Sequence, residues 1–86
     1  MGYRDLALEW RENQSEEIRT SGVVLIWKGE VYGWKNVLRD ASSERPGAVA
    51  VDTNEHVYIA EGGDDYNGAK LWVAMEPRTQ TTGTKL

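Results

Sequence analysis

The only histidine of the chain, His56, belongs to a short run of side chains that could bind a metal ion. Asp52, Asn54 and His56 alternate along the sequence, and carboxylate, amide and imidazole groups are common metal ligands. Turns favour the same residues, because Asp and Asn side chains hydrogen-bond the nearby backbone. We therefore expect a turn here and no metal site.

A second group of acids lies in a glycine-flanked segment further along the chain. Glu61, Asp64 and Asp65 alternate with or adjoin glycines between residues 61 and 68, and carboxylate oxygens are the ligands that Ca²⁺ and Mg²⁺ prefer. The spacing of acids that marks an EF-hand loop is absent. The segment is typical of a solvated turn, so the sequence predicts neither a metal nor another cofactor.

Groups that could form a catalytic centre are scarce. The chain has no cysteine, and none of its four serines lies in a Gly-x-Ser-x-Gly elbow. Neither of the usual phosphate-binding glycine spacings occurs. We therefore expect a protein that is not an enzyme, and a small metal-dependent enzyme centred on His56 and the Asp64-Asp65 loop is the least favoured alternative.

Charge is distributed unevenly along the 86 residues, whose formal net charge is −4. Residues 46–69 hold five acids and no Lys or Arg, so this segment carries −5 and the remainder +1. Nucleic-acid binding normally needs a basic patch, so we expect no direct contact with nucleic acid. An acidic surface is better matched by a protein partner with a basic surface, although acidic turns also serve solubility.

The clearest structural element is a hairpin over residues 22–35. Val23 to Trp27 and Glu30 to Lys35 are strand-like runs, and the Lys28-Gly29 pair between them favours a type I′ turn. A regular register pairs Trp27 with Glu30 and sets Tyr32 and Trp34 on the same face as Trp27, as core or as a recognition patch. Both hairpin faces are largely apolar, so the hairpin needs a second layer, or a partner that could be a second copy of the chain.

A three-stranded meander is predicted at residues 48–52, 56–61 and 70–75. If the first link is a three-residue loop, Asp52 pairs with His56 and one strand face becomes uniformly apolar. That loop requires a left-handed backbone at Glu55, where glycine is usual. The sequence therefore predicts this register and a strained turn.

The remaining segments have weaker patterns. Residues 4–11 nearly alternate between apolar and polar, which favours a strand, while their residue types favour a helix that would group Leu6, Ala7 and Trp10. Residues 12–17 are expected to be a loop or a helix end. A short helix at 37–42, capped by Asn36 with Val37 and Leu38 turned inward, is predicted before Pro46.

Together these elements predict one small α+β or mainly β domain over residues 1–76, followed by a mobile tail at 77–86. Its sheet would be twisted and antiparallel, in one or two layers, built from the hairpin and the meander with a short helix. No apolar run is long enough to span a membrane, and the N-terminal residues lack a signal-peptide pattern. We expect no membrane partner and a cytoplasmic location.

The predicted function is a small non-enzymatic protein-binding or inhibitory module, of the kind that phage- or plasmid-type inhibitors with an acidic surface represent. A homodimeric structural domain is the main alternative. The residues predicted to bind a partner are aromatic or acidic: Tyr32, Trp34, Glu55, Glu61, Asp64, Asp65 and Tyr66.

Overall fold

The computed structural model describes residues 2–75. Within this range, five strands form one antiparallel sheet in the order β2-β1-β3-β4-β5. The elements in chain order are α1 (Tyr3–Arg11), α2 (Glu16–Arg19), β1 (Val23–Trp27), β2 (Glu30–Lys35), a 3-10 helix (Ala41–Ser43), β3 (Val49–Val51), β4 (Val57–Glu61) and β5 (Leu71–Ala74). The predicted α+β domain with an antiparallel sheet made of a hairpin and a meander is confirmed.

The tail predicted at residues 77–86 lies outside the described residues. Among residues 2–75, none of the helices has both the length and the apolar character that crossing a membrane requires.

The strand predicted at residues 4–11 is wrong, because this segment is the helix α1. Ala7 is buried in the core, and Leu6 and Trp10 pack against the same cluster. The near-alternation of apolar and polar residues is typical of a strand, but Leu6, Ala7 and Trp10 also lie on one face of a helix. The polar residues 12–17, expected as a loop or a helix end, follow the end of α1 at Arg11 and lie in a turn and at the start of the short helix α2.

The hairpin is confirmed, but its register is not the regular one. Trp27 pairs with Glu30 as predicted, whereas Leu25 pairs with Gly33 and Val24 with Trp34. Tyr32 is the extra residue of a β-bulge. Residues 31 and 34 would point to opposite faces of a regular strand, and the bulge brings both Val31 and Trp34 to the core under α1. The prediction that Trp34 shares a face with Trp27 and Tyr32 is therefore wrong.

Both faces of the hairpin are covered by other parts of the same chain. On one face, α1 packs over β1, β2 and β3. On the other, Leu38 and Trp72 pack over the buried residues Val23, Leu25 and Ala50. The hairpin is apolar on both faces because it is the middle layer, so no second copy is needed to cover it.

The segment between β2 and β3 covers the sheet face opposite α1. The helix predicted at residues 37–42 does not form there. Only a 3-10 turn occurs, at Ala41–Ser43. Val37 is exposed, whereas Leu38 packs inward. Besides the local bonds of its turns, the backbone of this segment bonds the neighbouring loop and strand: Glu44 O accepts from Ala69 N at 2.8 Å, and Gly47 N donates to the Ala60 carbonyl at 2.9 Å.

Buried Arg11 connects α1 to the sheet. Arg11 is only 6% exposed. Burial lowers the pKa of its guanidinium, whereas the negative charge of Asp52 raises it. Every acceptor is a main-chain carbonyl, so the guanidinium joins the end of α2, the start of β1 and the end of β3. The acceptors are Ile18 (2.6 Å), Ser21 and Gly22 (2.8 Å each), Arg19 (3.4 Å) and Val51 (3.5 Å).

The turn between β3 and β4 has the predicted three-residue form. Asp52 N donates to His56 O at 3.1 Å, and Val49 and Val51 pair with β4 in the expected register. Glu55 has a φ of 68°, in the left-handed region that side chains disfavour. The predicted register and the predicted left-handed backbone at Glu55 are both confirmed.

We predict that Arg11→Met lowers the free energy of unfolding by at least about 3 kcal/mol, because several buried carbonyls lose their donor. Arg11→Lys should restore only part of this loss, since one ammonium cannot reach the same set of acceptors. Urea denaturation measures both. Arg19→Lys is the matched control on an exposed residue, expected within about 0.5 kcal/mol of wild type. Equal stability of all three variants would contradict the role of Arg11.

We predict that Glu55→Gly raises the free energy of unfolding by up to about 1 kcal/mol, because glycine has no steric penalty at positive φ. Asn54→Gly is the matched control one residue earlier, where φ is not positive, and it should destabilise the fold. Thermal unfolding compares the two. A lower melting temperature for Glu55→Gly would show that the turn is not strained.

Candidate functional site

Three of the predicted partner-binding residues meet in one cleft. Tyr32 lines it from β2, and Asp65 and Tyr66 line it from the loop between β4 and β5. Residues 42–45 form the wall between them, and the volume of the cleft is about 600 Å³. We call this the aromatic cleft and define it by Trp27, Glu30, Tyr32, Asp65 and Tyr66.

The other predicted residues lie elsewhere. Trp34 is on the α1 side of the sheet, half-buried, and its Nε1 donates to Ser21 O at 2.9 Å. Glu55 is in the turn between β3 and β4, where its carbonyl accepts from Arg4 Nε at 2.6 Å. Glu61 ends β4 and is exposed, and Asp64 is at the base of the loop. The seven residues therefore do not form one surface.

Four residues that shape the cleft are missing from the predicted partner-binding residues. Trp27 and Glu30 close the hairpin; the regular register includes Trp27 in the alternative recognition patch and gives Glu30 no functional role. Glu44 and Arg45 lie in the segment between β2 and β3, whose structure was predicted wrongly. The only local signal was the Pro46-Gly47 pair that follows them, which marks a turn and carries no information about the cleft.

The wall of the cleft is held by the buried carboxylate of Glu44. This residue is 8% exposed. Tyr32 OH donates to its Oε1 at 2.5 Å, and Lys35 Nζ lies 2.6 Å from its Oε2. Burial raises the pKa of Tyr32, and the hydrogen bond to Glu44 and its negative charge raise it further. Tyr32 is therefore a neutral hydrogen-bond donor at physiological pH.

Trp27 provides an aromatic surface that two cations of the chain already approach. The Cζ atom of Arg45 lies 4.2 Å from the ring centroid, and Nζ of Lys28 lies 4.6 Å from it. Both distances suit cation–π attraction. The indole also packs against a buried cluster of alanines, so its position in the cleft is well supported.

The loop that carries Tyr66 is organised by Asp64. Its Oδ1 accepts from the backbone N–H groups of Tyr66 at 3.0 Å and Asn67 at 2.7 Å, and these bonds, with that of Asn67 the largest contribution, lower the pKa of Asp64. Gly68 has a φ of 84° and lies so close to the Ser42 carbonyl that any Cβ would clash. The loop is therefore fixed against residues 42–45, while Tyr66 is 94% exposed.

His56 belongs to a turn, as the sequence suggested. Its Nδ1 lies 3.3 Å from Asp52 Oδ2, and Asp52 Oδ1 accepts from the N–H groups of Asn54 and His56 at 2.9 Å each. Within residues 2–75, no three or more His, Asp and Glu side chains are grouped so that they could hold a metal ion.

Comparisons of the chain with protein-family models, with curated proteins and with solved structures found no match. Function is therefore inferred from the geometry of the described residues.

We predict that Tyr32→Phe lowers the free energy of unfolding by about 1–2 kcal/mol at neutral pH, because buried Glu44 loses a donor. The wild type should also lose stability as pH rises above 10, the ordinary pKa of tyrosine, because the unfolded chain releases this proton while the folded chain keeps it. Tyr32→Phe should remove that part of the alkaline slope.

Urea denaturation at neutral pH and above pH 10 measures both effects. Tyr66→Phe is the matched control, since Tyr66 is 94% exposed, and it should keep the stability and the alkaline slope of the wild type. The same alkaline slope in Tyr32→Phe and wild type would mean that the Tyr32 hydroxyl is not bound to Glu44.

Proposed function

We propose that the protein is a small non-enzymatic binding module that receives a basic segment of a partner protein in the aromatic cleft, and that it acts as an inhibitor by covering that segment. We place this activity in the cytoplasm, where a chain without cysteine needs no disulfide.

The observation that carries the proposal is Tyr66, which is 94% exposed at the tip of a loop that is already ordered. Tyrosine is among the residues that most often dominate the energy of an interface. The hydrogen bonds to Asp64 restrict the backbone beside it. A partner that contacts Tyr66 therefore loses less conformational entropy than it would against a mobile loop.

The charges of the cleft favour a basic partner. Glu30, Glu44 and Asp65 line it together with Arg45, and both Arg45 and Lys28 already lie over the Trp27 ring. Glu44 is already bound to Lys35 and Tyr32, so the exposed carboxylates of Glu30 and Asp65 remain to meet a cation at the rim. Opposite charge at the rim speeds association more than it strengthens the complex.

The aromatic rings of the cleft suit the same partner. Lys and Arg side chains stack on Trp and Tyr faces, and Trp27 already attracts Arg45 and Lys28 of its own chain. A nucleic-acid phosphate would meet carboxylates instead of the cations that phosphate binding needs. A partner segment that is rich in Lys or Arg can stack on the aromatic rings and pair with the carboxylates.

We predict that Tyr66→Ala weakens binding of an Arg- and Lys-rich peptide at least about tenfold, a loss typical of an interface anchor. Fluorescence anisotropy of a labelled peptide measures this, with a Glu-rich peptide of equal length as the ligand control. Tyr3→Ala is the matched protein control, an exposed tyrosine of α1 outside the cleft. Equal binding of both peptides, or unchanged binding by Tyr66→Ala, would exclude the aromatic cleft.

Two substitutions at Asp64 separate loop geometry from charge. Asp64→Asn keeps an oxygen that can accept the N–H groups of Tyr66 and Asn67, so it should bind nearly as wild type. Asp64→Ala removes the acceptor and should weaken binding although Tyr66 is intact. Asp65→Asn removes a rim charge, so its effect should shrink as salt increases.

A further inference from the structure

The two edges of the sheet differ in how well they are protected from pairing with another strand. Charged or irregular residues usually protect an edge strand. The β2 edge begins with Glu30, ends with Lys35 and contains the bulge at Tyr32. The β5 edge, Leu71–Ala74, has no charged residue, and its register with β4 is continuous. Among residues 2–75 no strand pairs with the outer side of β5, so within this range β5 is the edge open to pairing.

The hydrogen bonds of β5 show which groups face outward. Met75 N donates to Val57 O at 2.7 Å, and in an antiparallel pair the bonded residues alternate along the strand. Residues 71, 73 and 75 therefore bond to β4. The N–H and C=O groups of Trp72 and Ala74 point to the open edge, so two donors and two acceptors are available to a further strand.

The same region is apolar on its α1 side. α1 packs over β1, β2 and β3, which leaves the side chains of β5 beside it largely uncovered. Leu71 is 51% exposed and Met75 is 37% exposed. Val73, which pairs with Ile59, is half-buried. An open edge bordered by exposed apolar side chains is typical of a surface that pairs with another chain.

We propose that this surface binds a second copy of the chain, with β5 antiparallel to β5 of that copy and the two-fold axis at Val73. This register sets Trp72 opposite Ala74, so a large side chain meets a small one. Both lie on the sheet face where Trp72 Nε1 donates to Arg39 O at 2.6 Å. It sets Leu71 opposite Met75 on the other face. A two-fold dimer uses the same surface of both copies, so one self-complementary surface is enough.

Charge within the strand agrees with this pairing. Leu71–Ala74 contains no charged residue, so pairing β5 with itself sets no like charges opposite each other within the strand. Pairing with β2 of another copy would set the apolar side chains of β5 beside Glu30, Lys35 and the bulge at Tyr32.

The size of the surface sets the expected strength of the dimer. Stable protein interfaces bury roughly 1,200–2,000 Å² in total, and a strand of four residues supplies less than that. The dimer is therefore weak, with a dissociation constant of roughly micromolar or above. No residue of β5 lines the aromatic cleft, so the dimer does not depend on the proposed binding of a basic partner.

Sedimentation equilibrium of the full chain over a range of concentrations tests the proposal. The wild type should pass from monomer to dimer as concentration rises. Ala74→Pro removes an N–H group that faces the open edge and none that bonds β4, so it should raise the dissociation constant at least about tenfold. Leu71→Lys should do the same, whereas Val37→Lys, equally exposed at 51%, should not.

Cysteine cross-linking tests the register independently, because the natural chain has no cysteine. In the proposed dimer, two copies of Val73→Cys face each other as a pair that is not hydrogen-bonded, where side chains are closest. Mild oxidation should link this variant to itself much faster than Tyr66→Cys. A wild type that stays monomeric, a dimer unaffected by Ala74→Pro, or equal cross-linking of the two cysteine variants would overturn the proposal.

Discussion

The rest of the structure depends on the need to satisfy one buried guanidinium. Arg11 is the last residue of α1 and is nearly enclosed, and a buried cation is tolerated only where acceptors surround it. Carbonyl oxygens from α2, from the start of β1 and from β3 supply them. These hydrogen bonds hold α1 across the sheet, and they position the residues that directly precede β1.

A second buried charge performs the corresponding task on the opposite face. Glu44 is bound by Tyr32 and Lys35 of β2, and its backbone accepts from Ala69. One residue therefore joins the edge strand, the segment between β2 and β3, and the loop after β4. A small domain buries too little apolar surface for a wide stability margin, so polar contacts of this kind decide where irregular segments lie.

The irregular parts of the fold and the surfaces available for binding are related. The bulge at Tyr32 turns Trp34 into the core and leaves Tyr32 for the cleft. The segment that Glu44 holds forms the wall between Tyr32 and Tyr66. At the other edge β5 is regular, and no strand of residues 2–75 pairs with its outward backbone groups. The β2 edge is thus shaped as one side of a cleft, and the β5 edge keeps the regular geometry that strand pairing requires.

The sequence by itself determined the features that depend on neighbouring residues. The Lys28-Gly29 turn, the three strands of the meander and the left-handed Glu55 follow from local turn chemistry and from the need for one apolar strand face. Only the tertiary structure decided that residues 3–11 are helical, that a bulge interrupts β2, and that Tyr32, Asp65 and Tyr66 meet. Each of these depends on a partner distant in sequence, such as the carbonyl of Val51 for Arg11 or the carboxylate of Glu44 for Tyr32. Periodicity along the chain carries no information about such partners.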